Sequence, residues 1–154
     1  MIGRQTNLEF LDKDEILESL FETRGIGDAE WRSKLSRESD LLLQERATNS
    51  EGAVIVSWWR HPLSNSNSGT PIDWLLQLGS EIVEVYCVCD PAVAATRFQQ
   101  RRRHVGHLDQ SKLHSDLVES FREQAELGPL GIGRLIKVDT NVEVDEERLM
   151  CLLS

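Results

Sequence analysis

The chain alternates between short apolar runs and longer amphipathic stretches. Leu8 to Asp12 (LEFLD) is an apolar run closed by an acid and reads as a buried strand. Asp14 stands where a helix begins, and Ile16, Leu17, Leu20 and Phe21 follow as one apolar helical stripe. Gly25 and Gly27 break that helix. Asp28 can cap a second helix running to about Thr48, with Trp31, Leu35, Leu42 and Leu43 broadly along one side. Ala53 to Trp59 (AVIVSWW) is β-branched and aromatic, a central strand, and the polar Arg60 to Gly69 is a loop. Thr70-Pro71 looks like an N-cap followed by an N1 proline, opening a helix that Gly79 stops. Ile82 to Val88 (IVEVYCV) is a second strong strand, and Asp90-Pro91 repeats the capping signature for a helix through Phe98 to Arg103. Ser111 can cap a helix from Lys112 to about Leu127. Gly128 to Gly133 is a glycine-rich connection, Leu135 to Val138 a third strong strand, and Val144 to Leu153 a final helix.

The predicted order is βααβαβααβα, without hairpin signals. It implies one α/β domain over residues 1–154, a three-layer parallel sheet with helices on both faces. Ligands of such sheets collect at the carboxyl ends of the strands. Here those ends carry Asp12 and Asp14, Trp59 to His61, Asp90, and Asp139 with Thr140.

Composition narrows the function classes. No apolar run approaches the roughly 18 residues that span a membrane, and the N-terminus has no apolar signal-peptide core. Three cysteines fit a reducing compartment better than a disulfide framework, so the expected location is cytoplasmic. A net charge of -9 argues against broad nucleic-acid or membrane-surface binding. One stretch runs against that charge. Arg97 to Asp109 (RFQQRRRHVGHLD) gathers Arg97, Arg101, Arg102 and Arg103, then His104 and His107 around a glycine. Arginine forks suit phosphate or carboxylate, although basic residues at a helix end also complement the helix dipole.

Other candidates also have two readings. Asp12 and Asp14 stand where a phosphoryl-transfer enzyme wants a carboxylate, and Asp14 serves equally as a helix cap; Lys13 between them reads as solvent-facing. Trp58, Trp59, Arg60 and His61 could line a substrate pocket or simply end a strand. His104 and His107 could contact substrate or lie on the surface; with only Asp109 beside them they do not make a zinc set. Cys87 and Cys89 share a strand face and read as core packing.

Three blocks, Leu11 to Ser39, Val83 to Asp109 and Leu135 to Leu149, together resemble the P-loop kinase-like ATPases: the AAA family ATPase or zeta-toxin-like group, with the chloramphenicol phosphotransferase-like and gluconate-kinase-like proteins. The resemblance rests on a strand ending in VCDP, an arginine-rich helix and an RH-x-GH-x-D turn. It implies ATP and Mg as cofactors, a lid over residues 97–109, and triphosphate contact by Arg97, Arg101 and Arg102. It also implies Asp14, matching the family's K-D position, as the residue orienting a hydroxyl, and Asp139-Thr140 as a wall of the adenine pocket. The family's G-x-x-x-x-G-K-[ST] loop is missing. None of the lysines, Lys13, Lys34, Lys112 and Lys137, follows a glycine, and GPLGIG at 128–133 lacks the lysine and precedes a strand.

Two functions follow as expectations. One is an ATP-dependent phosphotransferase or ATPase domain acting on a small hydroxylated substrate, with its first strand and P-loop cut away. The other is a non-catalytic relic that serves as a binding module. A protein partner pairing with an exposed sheet edge stands behind both.

Overall fold

The computed structural model describes residues 6–79, 81–109 and 112–153. Among them are four strands, β1 (Glu9–Asp12), β2 (Ala53–Val56), β3 (Val83–Val88) and β4 (Arg134–Asp139). Five α-helices accompany them: α1 (Lys13–Arg24), α2 (Ala29–Asn49), α3 (Pro91–Gln100), α4 (His114–Leu127) and α5 (Glu146–Leu153). Pairing is parallel, as the absence of hairpin signals predicts, and it forms two two-stranded sheets, β1 with β2 and β3 with β4. Glu9 is in register with Ala53, and Val83 with Arg134. The chain divides into two compact units. The first holds residues 1–60, 65–78 and 104–108, the second residues 61–64, 79–103 and 109–154.

In the first unit, β1 runs directly into α1. The Asp12 carboxylate accepts the Asp14 N–H at 2.8 Å, so Asp12 is the N-cap and Asp14 lies in the first turn, a correction to the expected cap. The α1 stripe Leu17, Leu20 and Phe21 is buried with Leu35 of α2 and packed on by Trp31 and Leu42. Each fully buried leucine or phenylalanine of this set stabilises the unit by roughly 1.5–3 kcal/mol. Gly25 ends α1 at φ 85°, a conformation that side chains with a Cβ avoid. Asp28 then caps α2 by accepting the Trp31 N–H.

Several boundaries differ from the sequence reading. β2 stops at Val56, and Trp59 beyond it makes a parallel bridge to Thr70. No α-helix follows Thr70-Pro71; a single 3-10 turn forms at Leu75–Gln77. The Thr70 hydroxyl is turned to Asp40 of α2, to which it donates at 2.7 Å. The helix expected to reach Arg103 ends at Gln100, because Arg101 adopts an extended ψ of 143°.

In the second unit, Asp90 caps α3 as predicted, accepting from Ala92 and Val93, with Pro91 at N1. α3 packs on α4, with Phe98 edge-on to Phe121 at 6.2 Å. Ala95, Leu117, Ile132, Ile136 and Leu149 are the buried apolar residues of this unit. The expected cap Ser111 lies outside the described residues, and α4 begins at His114. No helix among the described residues is long and apolar enough to cross a membrane.

Candidate functional site

The carboxyl end of β1 carries a buried polar network. Lys13, expected in solvent, is 9% exposed, and its ammonium lies 2.5 Å from Asp40 Oδ1. Thr70 donates to the same oxygen and is joined to the Ser57 hydroxyl at 2.5 Å. A buried ammonium is tolerated only with its counter-charge and hydrogen bonds in place, and this network supplies both. Asp12 lines a groove of about 290 Å³ whose apolar wall includes Phe10, Leu11, Ile16, Leu20 and Leu42, with Arg46 also at its edge. Of the two predicted catalytic carboxylates, Asp12 lines this groove.

The predicted substrate residues of this unit separate. Trp58 is 46% exposed, while Trp59 lies 6.3 Å from Trp74, ring to ring. Arg60 folds over its own loop, donating to the carbonyls of Asn67 at 2.7 Å and Gly69 at 3.1 Å. That guanidinium gives the polar loop its shape. His104 stacks on Phe21 at 5.3 Å, and His107 meets the same ring edge-on at 5.5 Å. Gly106 between them is required by contact, since a Cβ there would come within 2.6 Å of the Phe21 ring. His107 is buried, with Nε2 3.0 Å from Glu18 Oε1. His104, Gly106 and His107 are thus seated on α1.

The predicted cofactor residues lie in the second unit, around the carboxyl ends of β3 and β4. Arg97 donates to the Thr140 carbonyl at 2.6 Å, and Thr140 in turn binds the Val88 carbonyl through both N–H and hydroxyl. Asp139 accepts from the backbone and side-chain amides of Asn141, whose Oδ1 accepts the Asp90 N–H. Arg101 lies over the Phe98 ring at 4.2 Å, and Arg102 is exposed. The arginines therefore split: Arg97 braces the strand ends, while Arg101 and Arg102 extend past the end of α3.

Cys87 and Cys89 are not the core pair expected. Cys87 is exposed and Cys89 half-buried, with Arg97 Nη1 3.6 Å from the Cys89 sulfur. The arginine contact arises because β3 ends at Val88, which leaves Cys89 in the strand-to-helix turn. Partial burial of its surroundings pushes the Cys87 thiol pKa up.

Glu84 escaped the sequence reading, and His61, expected at a substrate pocket, serves a structural contact instead. The buried Glu84 carboxylate accepts three successive backbone N–H groups of the glycine-rich connection, Leu130 at 2.6 Å, Gly131 at 3.0 Å and Ile132 at 3.3 Å. The same connection is held by His61: Leu63 N–H donates to Nδ1, so Nε2 carries the proton and donates to the Pro129 carbonyl at 3.1 Å. GPLGIG is consequently an anion nest filled by the chain's own carboxylate. A lone acid inside IVEVYCV was the available signal. Lys13 and Asp40 gave none, because their partnership exists only after α1 packs on α2.

Among the described residues no three His, Cys, Asp or Glu side chains gather around a common metal position. A magnesium ion bound mainly by phosphate oxygens needs only one or two protein carboxylates, which Asp12 or Asp14 can supply.

No family model matches the chain, and no curated protein matches it. Among solved structures it is similar to one from Chloroflexus aurantiacus J-10-fl described as a "putative kinase", with a TM-score of 0.75 and 21% identity over 99% of this chain and 82% of that one. At this identity the likeness speaks to the fold alone, and the chain has a kinase-like fold.

Proposed function

We propose that this protein is an ATP-dependent phosphotransferase-like domain acting on a small hydroxylated substrate, on a three-layer P-loop-kinase-like sheet. The observation carrying the reading is the similarity of 99% of the chain to a solved protein described as a kinase. The exposed arginines at the end of α3 and the carboxylate in the β1 groove support it.

In this reading Arg101 and Arg102 neutralise phosphate charge, as the open end of α3 suits, and Arg97 with Asp139 and Thr140 shapes the nucleotide side of the second unit. Asp12, on the groove wall, accepts the proton of the substrate hydroxyl, and Asp14 assists from the first turn of α1. Asp12 or Asp14 would hold a magnesium ion, which would supply charge neutralisation to a bound nucleotide. Trp58 offers an exposed face for stacking. A cytoplasmic location is part of this reading, supported by a cysteine count that fits a reducing compartment better than a disulfide framework.

A second reading, a non-catalytic anion-binding module, is favoured by one fact: no lysine of the 154 residues follows a glycine. Turnover separates the two. Asp12→Asn should lower phosphoryl transfer from ATP to a panel of small alcohols and sugars by about 100-fold or more, the usual weight of a general base. Equal turnover in wild type and Asp12→Asn would remove Asp12 from the chemistry, and no transfer by the wild type would favour the binding module.

A further inference from the structure

The residues after α3 form a charge cluster that the phosphotransferase reading does not by itself explain. Asp109 Oδ2 lies 2.9 Å from Arg103 Nη1 and 3.8 Å from Arg101 Nη2, and Oδ1 lies 3.7 Å from Lys112 Nζ. One carboxylate is thus shared by three cations. Phe98 orders two of them: its ring carries the Arg101 guanidinium at 4.2 Å and the Lys112 ammonium at 4.9 Å. The ring is fixed in turn by its edge contact with Phe121. Exposure is graded. The Arg103 and Asp109 side chains are 15% and 18% exposed, whereas Arg101 and Lys112 are 43% and 45% exposed.

A carboxylate offers two oxygens and one negative charge. A terminal phosphoryl group offers three oxygens and up to two charges, a closer match to three converging donors. The two cations farther than 3.5 Å from Asp109 are also the two most open to solvent. They are placed to meet an incoming anion before Arg103 is reached.

We propose that Asp109 is a resident anion, holding the position that the terminal phosphoryl group of an oligophosphate takes in the Arg101–Arg103–Lys112 cluster. Binding is then an exchange: the phosphoryl oxygens take over the three cations as the Asp109 carboxylate turns out to water. Asp109 thereby sets the threshold for occupancy and disfavours ligands with a single carboxylate. The inference rests on the reading of this segment as the phosphate-binding side, and it adds the device that regulates that side.

The test uses inorganic tripolyphosphate, which has no base or sugar, on the full chain. Calorimetry on wild type, Asp109→Asn and Asp116→Asn separates exchange from a general charge effect, because Asp116 is an exposed acid of α4 outside the cluster. Asp109→Asn should bind about tenfold more tightly than wild type, and Asp116→Asn should stay within about twofold. Equal tightening by both substitutions, or none by Asp109→Asn, overturns the proposal. If Asp109→Asn does not fold, arginine side-chain ¹⁵N resonances of the wild type decide: the Arg103 signal moves to saturation under exchange, and a static Arg103 signal overturns it. Failure of ATP turnover with this tripolyphosphate response intact would remove the phosphotransferase reading alone.

Discussion

The Lys13 ammonium and the Asp40 carboxylate form an ion pair at 2.5 Å, with both side chains largely out of solvent at 11% and 16% exposure. The pair ties the first turn of α1 to the middle of α2, and Thr70 and Ser57 extend it toward the end of β2. Removing one partner strands the other charge. Lys13→Met should therefore cost about 3 kcal/mol in denaturant unfolding, whereas Lys13→Met with Asp40→Leu should recover much of that loss. Equal stability of the single and double substitutions would show that the pair does not act as a unit.

Glu84 fastens the connection before β4 through three backbone N–H groups. Glutamine keeps one acceptor oxygen and loses the charge. Glu84→Gln should destabilise by about 2 kcal/mol, within the range for hydrogen bonds to charged groups, and should raise hydrogen exchange at Leu130, Gly131 and Ile132. Unchanged exchange at those amides would contradict the nest.

The turn carrying His104 and His107 depends on the closeness of Gly106 to Phe21. A Cβ at 106 would lie 2.6 Å from the ring, so Gly106→Ala should lower stability by about 1–3 kcal/mol through overpacking. The Gly106→Ala substitution with Phe21→Leu, which opens space at that ring, should lose less than the sum of the separate effects. Strict additivity would separate the turn from α1.

Cys87 gives a pH-dependent signature. Its thiol pKa is raised by burial, so the folded chain holds that proton more tightly than the unfolded chain. The associated stabilisation is fully present below the unfolded thiol pKa and is lost as pH rises through the folded one. Alkylation follows the thiolate, so the Cys87 rate should rise at higher pH than that of an unfolded peptide containing the same residues. Mass-spectrometric labelling against pH reads this directly, and coincident profiles would contradict it.

Much of the fold was legible because local chemistry agreed with packing. Asp90-Pro91 capped its helix, Gly25 and Asp28 separated α1 from α2, and strands without hairpin turns paired in parallel. Legibility failed where a distant group captured a local one. Thr70 has the sequence of an N-cap, but Asp40, thirty residues earlier, takes its hydroxyl. Lys13 sits in a run of charged residues, yet the same Asp40 draws it inward. The site residues were legible as types, at strand ends and in one cationic stretch. Their partners were not: Arg97 on Thr140, Arg60 on its own loop and His104 on Phe21 are tertiary facts.

Nucleotide binding by this kinase-like fold is proposed to depend on Arg101 and Arg102, past the end of α3. Isothermal titration of the full 154-residue chain with Mg-ATP tests it most directly. Saturable binding is expected with a Kd of about 1 mM or tighter, weakened about tenfold or more when Arg101 and Arg102 are both replaced by alanine. No saturable heat at millimolar Mg-ATP, or an affinity unmoved by the double substitution, would contradict it.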